Sequence, residues 1–202
     1  ECIAAILENI CAINNSRVTI PGNNENPRNY YRSESYPDGT SSIFFSLQRP
    51  AVDMRYYVAR LVRYMRVSKS VFVVALIYLD RIHAADEILA LTDFNVHRLI
   101  TTAVSVACKF LEYEVHRNST ICRIGGVPAV AEMNMLESQF LRRIKWDCSV
   151  SIQSYDLYRT NVFKRRYGQP TLSEVSSSLC SVSDGQTDIQ RFDDSSGEEE
   201  PF

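Results

Sequence analysis

Apolar residues recur along this chain with the spacing of helices rather than of strands. In residues 2–13, Ile3, Ile6, Leu7, Ile10 and Ile13 share one face and predict an amphipathic helix. The Asn-Asn-Ser-Arg that follows predicts its end. After Pro50, Met54, Tyr57, Val58, Leu61, Val62 and Met65 keep i, i+3, i+4 spacing and predict a second helix. A third runs from a cap at Ser68 or Ser70 to about Ala85. Its run "VFVVALIYL" has four β-branched residues and is compatible with a strand, but its length without Gly or Pro favours a helix. From about Asn95 to about Tyr113 the pattern is helical again, and Val104, Val106, Ala107, Cys108, Phe110 and Leu111 leave its second half without a polar face. Such a helix must be surrounded by others, so it is placed at the centre.

"RIGGVP", residues 123–128, breaks the chain and supplies Pro128 as a first-turn residue. The helix after it carries Val130, Met133, Leu136, Phe140, Leu141 and Ile144. Ser151 is expected to cap a last helix through Phe163, burying Ile152, Tyr155, Tyr158 and Val162. The expected fold is therefore all-α, five helices with one of them central and buried, plus an extra N-terminal amphipathic helix. Residues 21–42 are rich in Asn, Ser, Pro, Gly and Tyr and read as an extended linker, whose end, "SIFFSL", is expected to pack on the helices. Beyond Tyr167 the chain is Ser-, Asp- and Glu-rich and is expected to be a disordered tail.

Charge sharpens this division. The formal net charge is −2, which argues against a general affinity for nucleic acid. Residues 54–166 hold 17 Lys/Arg against 10 Asp/Glu, whereas residues 167–202 hold Arg191 against 8 acids. A basic body is thus followed by an acidic tail, in which Ser195 and Ser196 precede "GEEE" as candidates for phosphorylation. The tail could also fold back on the body. The longest apolar run is Val71–Leu79, short of the roughly 20 residues of a bilayer span. The first residue is Glu1 rather than Met, which points to sequence upstream, and no signal-peptide pattern opens the chain. Six cysteines at 2, 11, 108, 122, 148 and 180 show no C-x-x-C spacing and read as reduced thiols of an intracellular protein, nuclear or cytoplasmic.

No Gly-rich phosphate loop, metal-ligand spacing or nucleophile motif is present, and His83, His97 and His116 fall near predicted helix ends. No cofactor or metal is expected, and a binding module is favoured over an enzyme. The feature that asks for a partner is "AVSVACKFLEYE", residues 103–114. There an enclosed helix emerges with Lys109, Phe110 and Leu111 together. Lys109 could simply pair with Glu112 on the helix surface. However, "MNMLESQFL" likewise sets Glu137 inside the stripe of Leu136, Phe140 and Leu141. Opposite charges bordering an apolar patch suit docking, since the apolar part gives affinity and the charges fix orientation.

"FVVALIYLDRI", "FNVHRLITTAVSVACKFLEYE", "IGG" and "EMNMLESQFL", with the leading "AAILENICAINN" and "SIFFSLQRP", resemble the cyclin box of Pho-type (P/U-type) cyclins across residues 2 to about 166. That resemblance implies residues 1–50 as a leading helix and linker, 51–166 as a single cyclin box, and 167–202 as a tail. It implies a regulatory subunit, not an enzyme, that binds and activates a cyclin-dependent protein kinase. Lys109 and Glu137 match the lysine and glutamate that bind the kinase near its C-helix. Val106, Phe110, Leu141 and Cys148 match positions lining the slot for that helix's isoleucine, with Cys148 smaller than the usual leucine. Asp80 matches an acid paired with an arginine of the first box helix, Arg55 or Arg60. The resemblance stops short of the substrate-docking patch of cell-cycle cyclins, because Tyr56 and Tyr57 follow Met54-Arg55 and the spacing to Asp80 is about one turn shorter.

The competing expectation is a cyclin-fold transcription factor or scaffold. It would take phosphoprotein or nucleic acid at the basic clusters Arg142, Arg143, Lys145 and Lys164, Arg165, Arg166. No membrane partner is expected.

Overall fold

The computed structural model of the chain describes residues 2–17 and 43–167, with backbone only for Arg17 and for residues 165–167. The predicted linker, the acidic tail with Cys180, Ser195 and Ser196, and the side chains of Arg165 and Arg166 lie outside the described residues. Within them the chain forms α1 (Cys2–Arg17), α2 (Met54–Met65), α3 (Lys69–Ala85), a 3-10 turn (Glu87–Leu89), α4 (Val96–Leu111), α5 (Asn118–Gly125), α6 (Val130–Arg143) and α7 (Ile152–Tyr167). The architecture is all-α, and the described residues contain no strand.

The central position falls to α4, which touches α2, α3, α5 and α6. Every residue from Leu99 to Cys108 is buried, including Thr101, Thr102 and Ser105. These three hydroxyls are tolerated because each has a partner, namely Tyr57, the Arg98 carbonyl and Glu137. Beside it α3 is helical, not extended, and buries Val71 to Leu79 without a gap. Ser68 occupies the cap position of α3 with no side-chain capping bond, while its N–H donates to Glu112 Oε1 at 3.0 Å. Ser70 hydrogen bonds instead to Tyr155 of α7 at 2.9 Å.

Several expectations shift by a residue or a face. α1 buries Ala4, Leu7 and Cys11, leaving Ile13 exposed at the rim of its isoleucine stripe. It also runs through Asn14 and Asn15, because their side chains bond forward to the Leu91 carbonyl and the Asp93 N–H. Val62 of α2 is half exposed, since it lies outside the arc of Met54, Tyr57, Val58, Leu61 and Met65. Phe44 and Phe45 are fully buried, Phe44 edge-on to Phe140. Ser151 caps α7 by accepting from the Ser154 N–H at 3.1 Å. α7 then buries Tyr155, Tyr158 and Val162 in part and leaves Ile152 exposed.

The helix that periodicity misses is α5. It takes up Asn118-Ser119-Thr120 and the first glycine of the predicted break, burying Ile121, Cys122 and Ile124. Gly125 and Gly126 close it for different reasons. Gly126 adopts φ 69°, the left-handed cap that favours glycine. At Gly125 a Cβ would meet Thr101 Cγ2 at 2.5 Å, and the Gly125 carbonyl accepts from buried Tyr57 at 2.8 Å. Gly125→Ala is therefore expected to destabilise the fold by about 1–3 kcal/mol, the usual cost of overpacking. Chemical denaturation measures it, and Thr101→Ser in the same chain should return part of the loss by removing the methyl.

Candidate functional site

Where α4 leaves the core, its burial stops abruptly. Cys108 is fully enclosed, Phe110 is 55% exposed and Leu111 45%. Between them Lys109 turns toward α6 rather than toward Glu112, which is engaged by Ser68. Its Nζ lies 2.6 and 2.7 Å from the two carboxylate oxygens of Glu137 and 2.6 Å from Asn118 Oδ1. Glu137 also accepts from Ser105 Oγ at 2.5 Å and from Asn118 Nδ2 at 2.7 Å. Asn118 Nδ2 reaches Asn134 Oδ1 as well.

The arrangement has an asymmetry with chemical consequences. The Glu137 side chain is 12% exposed and the Lys109 side chain 35%. Glu137 has four contacts within the chain, about the full acceptor capacity of a carboxylate. It acts chiefly to fix Lys109, whose side chain stays about one third exposed while its ammonium faces Glu137 and Asn118. A buried carboxylate is tolerable only because lysine, serine and asparagine supply its hydrogen bonds. Ser105, Asn118 and Asn134 are thus part of the site and were not singled out from sequence. Only Asn118 carried a local hint, as a polar residue opening a short apolar stretch.

Helical geometry sets the other candidates around this pair. Val106 and Phe110 stand one turn apart on α4 and flank Lys109, with Val106 buried and Phe110 exposed. Leu141 follows Glu137 by one turn on α6 and is half-buried. Cys148 lies in the connection beyond, also half-buried, and α3 holds it in place. Tyr78 donates to the Cys148 carbonyl at 2.6 Å, and Arg81 donates to the carbonyls of Asp147 and Ser149, each at 2.8 Å.

A further residue emerges from the turn that joins these two. Lys145 and Trp146 both have positive φ, 53° and 61°, uncommon for residues with a Cβ. The turn is tied by Trp146 N–H to the Leu141 carbonyl at 2.8 Å and by Cys148 N–H to the Trp146 carbonyl at 3.0 Å. It presents the indole 64% exposed.

The expected pair of Asp80 with Arg55 does not form. Arg55 Nε lies 3.3 Å from Glu8 of α1, and Arg60 lies over the Tyr57 ring. Asp80 instead accepts from the Tyr158 hydroxyl of α7. The α1 and α7 side chains supply partners that the pattern within the box could not reveal. Burial pushes the Asp80 carboxyl up to about 6, against the opposing pull of the Tyr158 hydrogen bond. The basic cluster of Arg142, Arg143 and Lys145 is also broken up, since Arg143 turns inward to Asp86 at 3.3 Å and lies over Phe44.

Among the described residues no group of three or more His, Cys, Asp or Glu converges as a metal site. No described helix is long and apolar enough to cross a membrane.

Comparison with known proteins adds an independent line. A model of the cyclin family matches residues 2–148. Cyclin-U4-1 of Arabidopsis thaliana is 34% identical over 154 residues, 74% of this chain and 76% of that protein. Cyclin-U4-3 of the same plant is 37% identical over 117 residues, 58% of this chain and 53% of that protein. Cyclin-P4-1 of Oryza sativa subsp. japonica is 39% identical over 117 residues, 58% of this chain and 55% of that protein. The chain therefore spans about three quarters of the first of these relatives and a little over half of the other two.

Proposed function

The chain belongs to the cyclin family, with relatives of the P and U types, and from that premise we propose that it binds and activates a cyclin-dependent protein kinase. The observation that carries the proposal is the Lys109–Glu137 pair, fixed at the mouth of the core with exposed Phe110 and half-buried Leu141 and Cys148 around it. Phosphoryl transfer by a kinase requires a glutamate of its C-helix to pair with a strand lysine. A partner that binds only the inward position of that helix shifts the kinase toward its active state. Such a partner needs no catalytic group. It needs a rigid face, and the hydrogen bonds that Lys109 donates to Asn118 and Glu137 on two other helices favour one. In this reading Lys109 hydrogen bonds the kinase backbone, Glu137 orients Lys109, and Val106, Phe110, Leu141 and Cys148 receive an apolar side chain of the C-helix. Purification of the tagged chain from its source cell, followed by a kinase assay on the bound fraction, tests the reading. Absence of kinase from that fraction overturns it.

Trp146 extends the same face. Exposed tryptophan is over-represented among interface residues that dominate affinity. Its left-handed backbone would suit glycine better, by about 1 kcal/mol. Trp146→Gly is therefore expected to leave the fold as stable or more stable while weakening kinase capture several-fold. Melting curves and pull-downs read the two effects separately. A loss of stability with unchanged capture would assign the indole to the fold alone.

A further inference from the structure

The outer face of α2 shows cations with no acids to match them. Between Asp53 and Asp80 the chain has no carboxylate, yet it has Arg55, Arg60, Arg63, Arg66 and Lys69. Arg55 is paired with Glu8. Among the described residues no carboxylate pairs with the other four. Glu112, which approaches this end through Ser68, is held by that residue's N–H.

α5 lies antiparallel beside α2. Met65 O contacts His116 Nε2 at one end, and Tyr57 bonds to the Gly125 carbonyl at the other. It brings exposed Arg117 and Arg123, and residues 117–131 also lack any acid. Two adjoining helices thus form one face of unopposed positive charge.

Arg60 sits at its middle. Its guanidinium rests over the Tyr57 ring, 5.3 Å from the centroid. A Cβ at Gly126 would meet its Nη2 at 3.3 Å, and its Nε is sealed from water with no hydrogen-bond partner. A half-buried guanidinium without an anion is costly, and an incoming oxyanion relieves that cost through its outer nitrogens. Exposed Tyr56 and Tyr64 interrupt the cations and add apolar contact. The apolar residues that begin α2, Met54, Tyr57, Val58 and Leu61, are all spent on the core. The 8 acids of residues 167–202 offset the basic body and bring the overall charge to −2, which weakens long-range attraction to a long polyanion and favours a short acidic segment.

We propose that the α2–α5 face is a docking surface for an acidic, phosphoserine-containing segment of a partner protein. Planar guanidinium forks match phosphate oxygens, and the interspersed tyrosines contact the peptide between its charges. None of its cations belongs to the Lys109–Glu137 site, although Asn118 of that site adjoins Arg117, and the proposal does not depend on what binds there.

Fluorescence anisotropy on the full chain tests this with three labelled probes. They are a short peptide alternating phosphoserine and glutamate, the same peptide with serine and glutamine, and a single-stranded DNA oligomer of equal charge. The phosphopeptide is expected to bind at least about ten-fold more tightly than either other probe. Arg63→Gln with Arg66→Gln and Arg123→Gln, all exposed positions at helix C-termini, should remove at least about ten-fold of that affinity with the circular dichroism unchanged and the melting lowered only slightly. Arg60→Lys should retain only part of it, because it keeps the charge and loses the fork. Lys109→Met with Glu137→Gln should bind the phosphopeptide normally. DNA bound as tightly as the phosphopeptide would indicate a nucleic-acid surface. That result, equal binding of the neutral peptide, or an unaffected triple variant overturns the proposal.

Discussion

If the proposed kinase docking holds, Lys109→Ala is expected to weaken capture of that kinase by roughly 2–4 kcal/mol, about 30- to 1000-fold in affinity. Glu137→Ala should do the same for a different reason. In the first variant the group reaching the partner is gone. In the second it is present but unanchored, since Asn118 alone is left to orient it. Either substitution also disturbs the fold, because each leaves a group of the network short of partners. Lys109 is about one third exposed, so this folding penalty is smaller than that for a fully buried pair. The decisive variant is therefore Lys109→Met with Glu137→Gln. The methionine keeps the apolar stem, and the glutamine carbonyl still accepts from Ser105. Its fold should be close to normal and its kinase capture lost. Isothermal titration with the purified kinase, alongside a melting curve, measures both. Unchanged affinity in this folded double variant would reject the assignment of the pair.

How much of this site could be read from sequence follows from what is local. Lys109 and Glu137 stood out because each interrupts a run of apolar neighbours on its own helix, which spacing along the chain records. Their partners did not stand out. Ser105 reads as a small residue in a buried helix, and Asn118 opens a helix of eight residues that ends at Gly125 and is capped by Gly126. That is too short for periodicity to declare itself. Trp146 gave no local sign either, as its exposure is set by two left-handed residues that carry side chains.

The same limit explains the misplaced ends and pairs. Asn14 and Asn15 look like a helix stop until the 91–93 loop offers them hydrogen bonds from far along the chain. Asp80, largely buried, needs a polar partner, and exposed Arg55 meets an acid from outside the box. α1 and α7 supplied those partners, Glu8 and Tyr158. The central position of α4 was legible because it depends only on the absence of a polar face. Which side chains meet across helices depends on packing, and the one-dimensional pattern does not contain it.

Asp80 gives the second large effect, and its sign runs opposite to that of a salt-bridged acid. Its carboxyl is raised from 3.8 to about 6, chiefly because burial disfavours the charge. Between those values the folded chain holds a proton that the unfolded chain has released. Stability therefore falls as pH rises through this window, by about 3 kcal/mol for a shift of this size. Below about pH 4 both states are protonated and the penalty vanishes; above about pH 6 both are ionised and it is present in full. Asp80→Asn keeps an acceptor for the Tyr158 hydroxyl and never ionises. It should gain roughly 1–3 kcal/mol over the parent chain near neutral pH and nothing below about pH 4. Tyr158→Phe should shift the parent's transition upward, because it deletes the hydrogen bond that favours the carboxylate. Urea denaturation of the three chains at several pH values measures the differences directly. If Asp80→Asn is instead the less stable chain above pH 6, the ionised carboxylate must be stabilised by its surroundings, and burial does not dominate its environment.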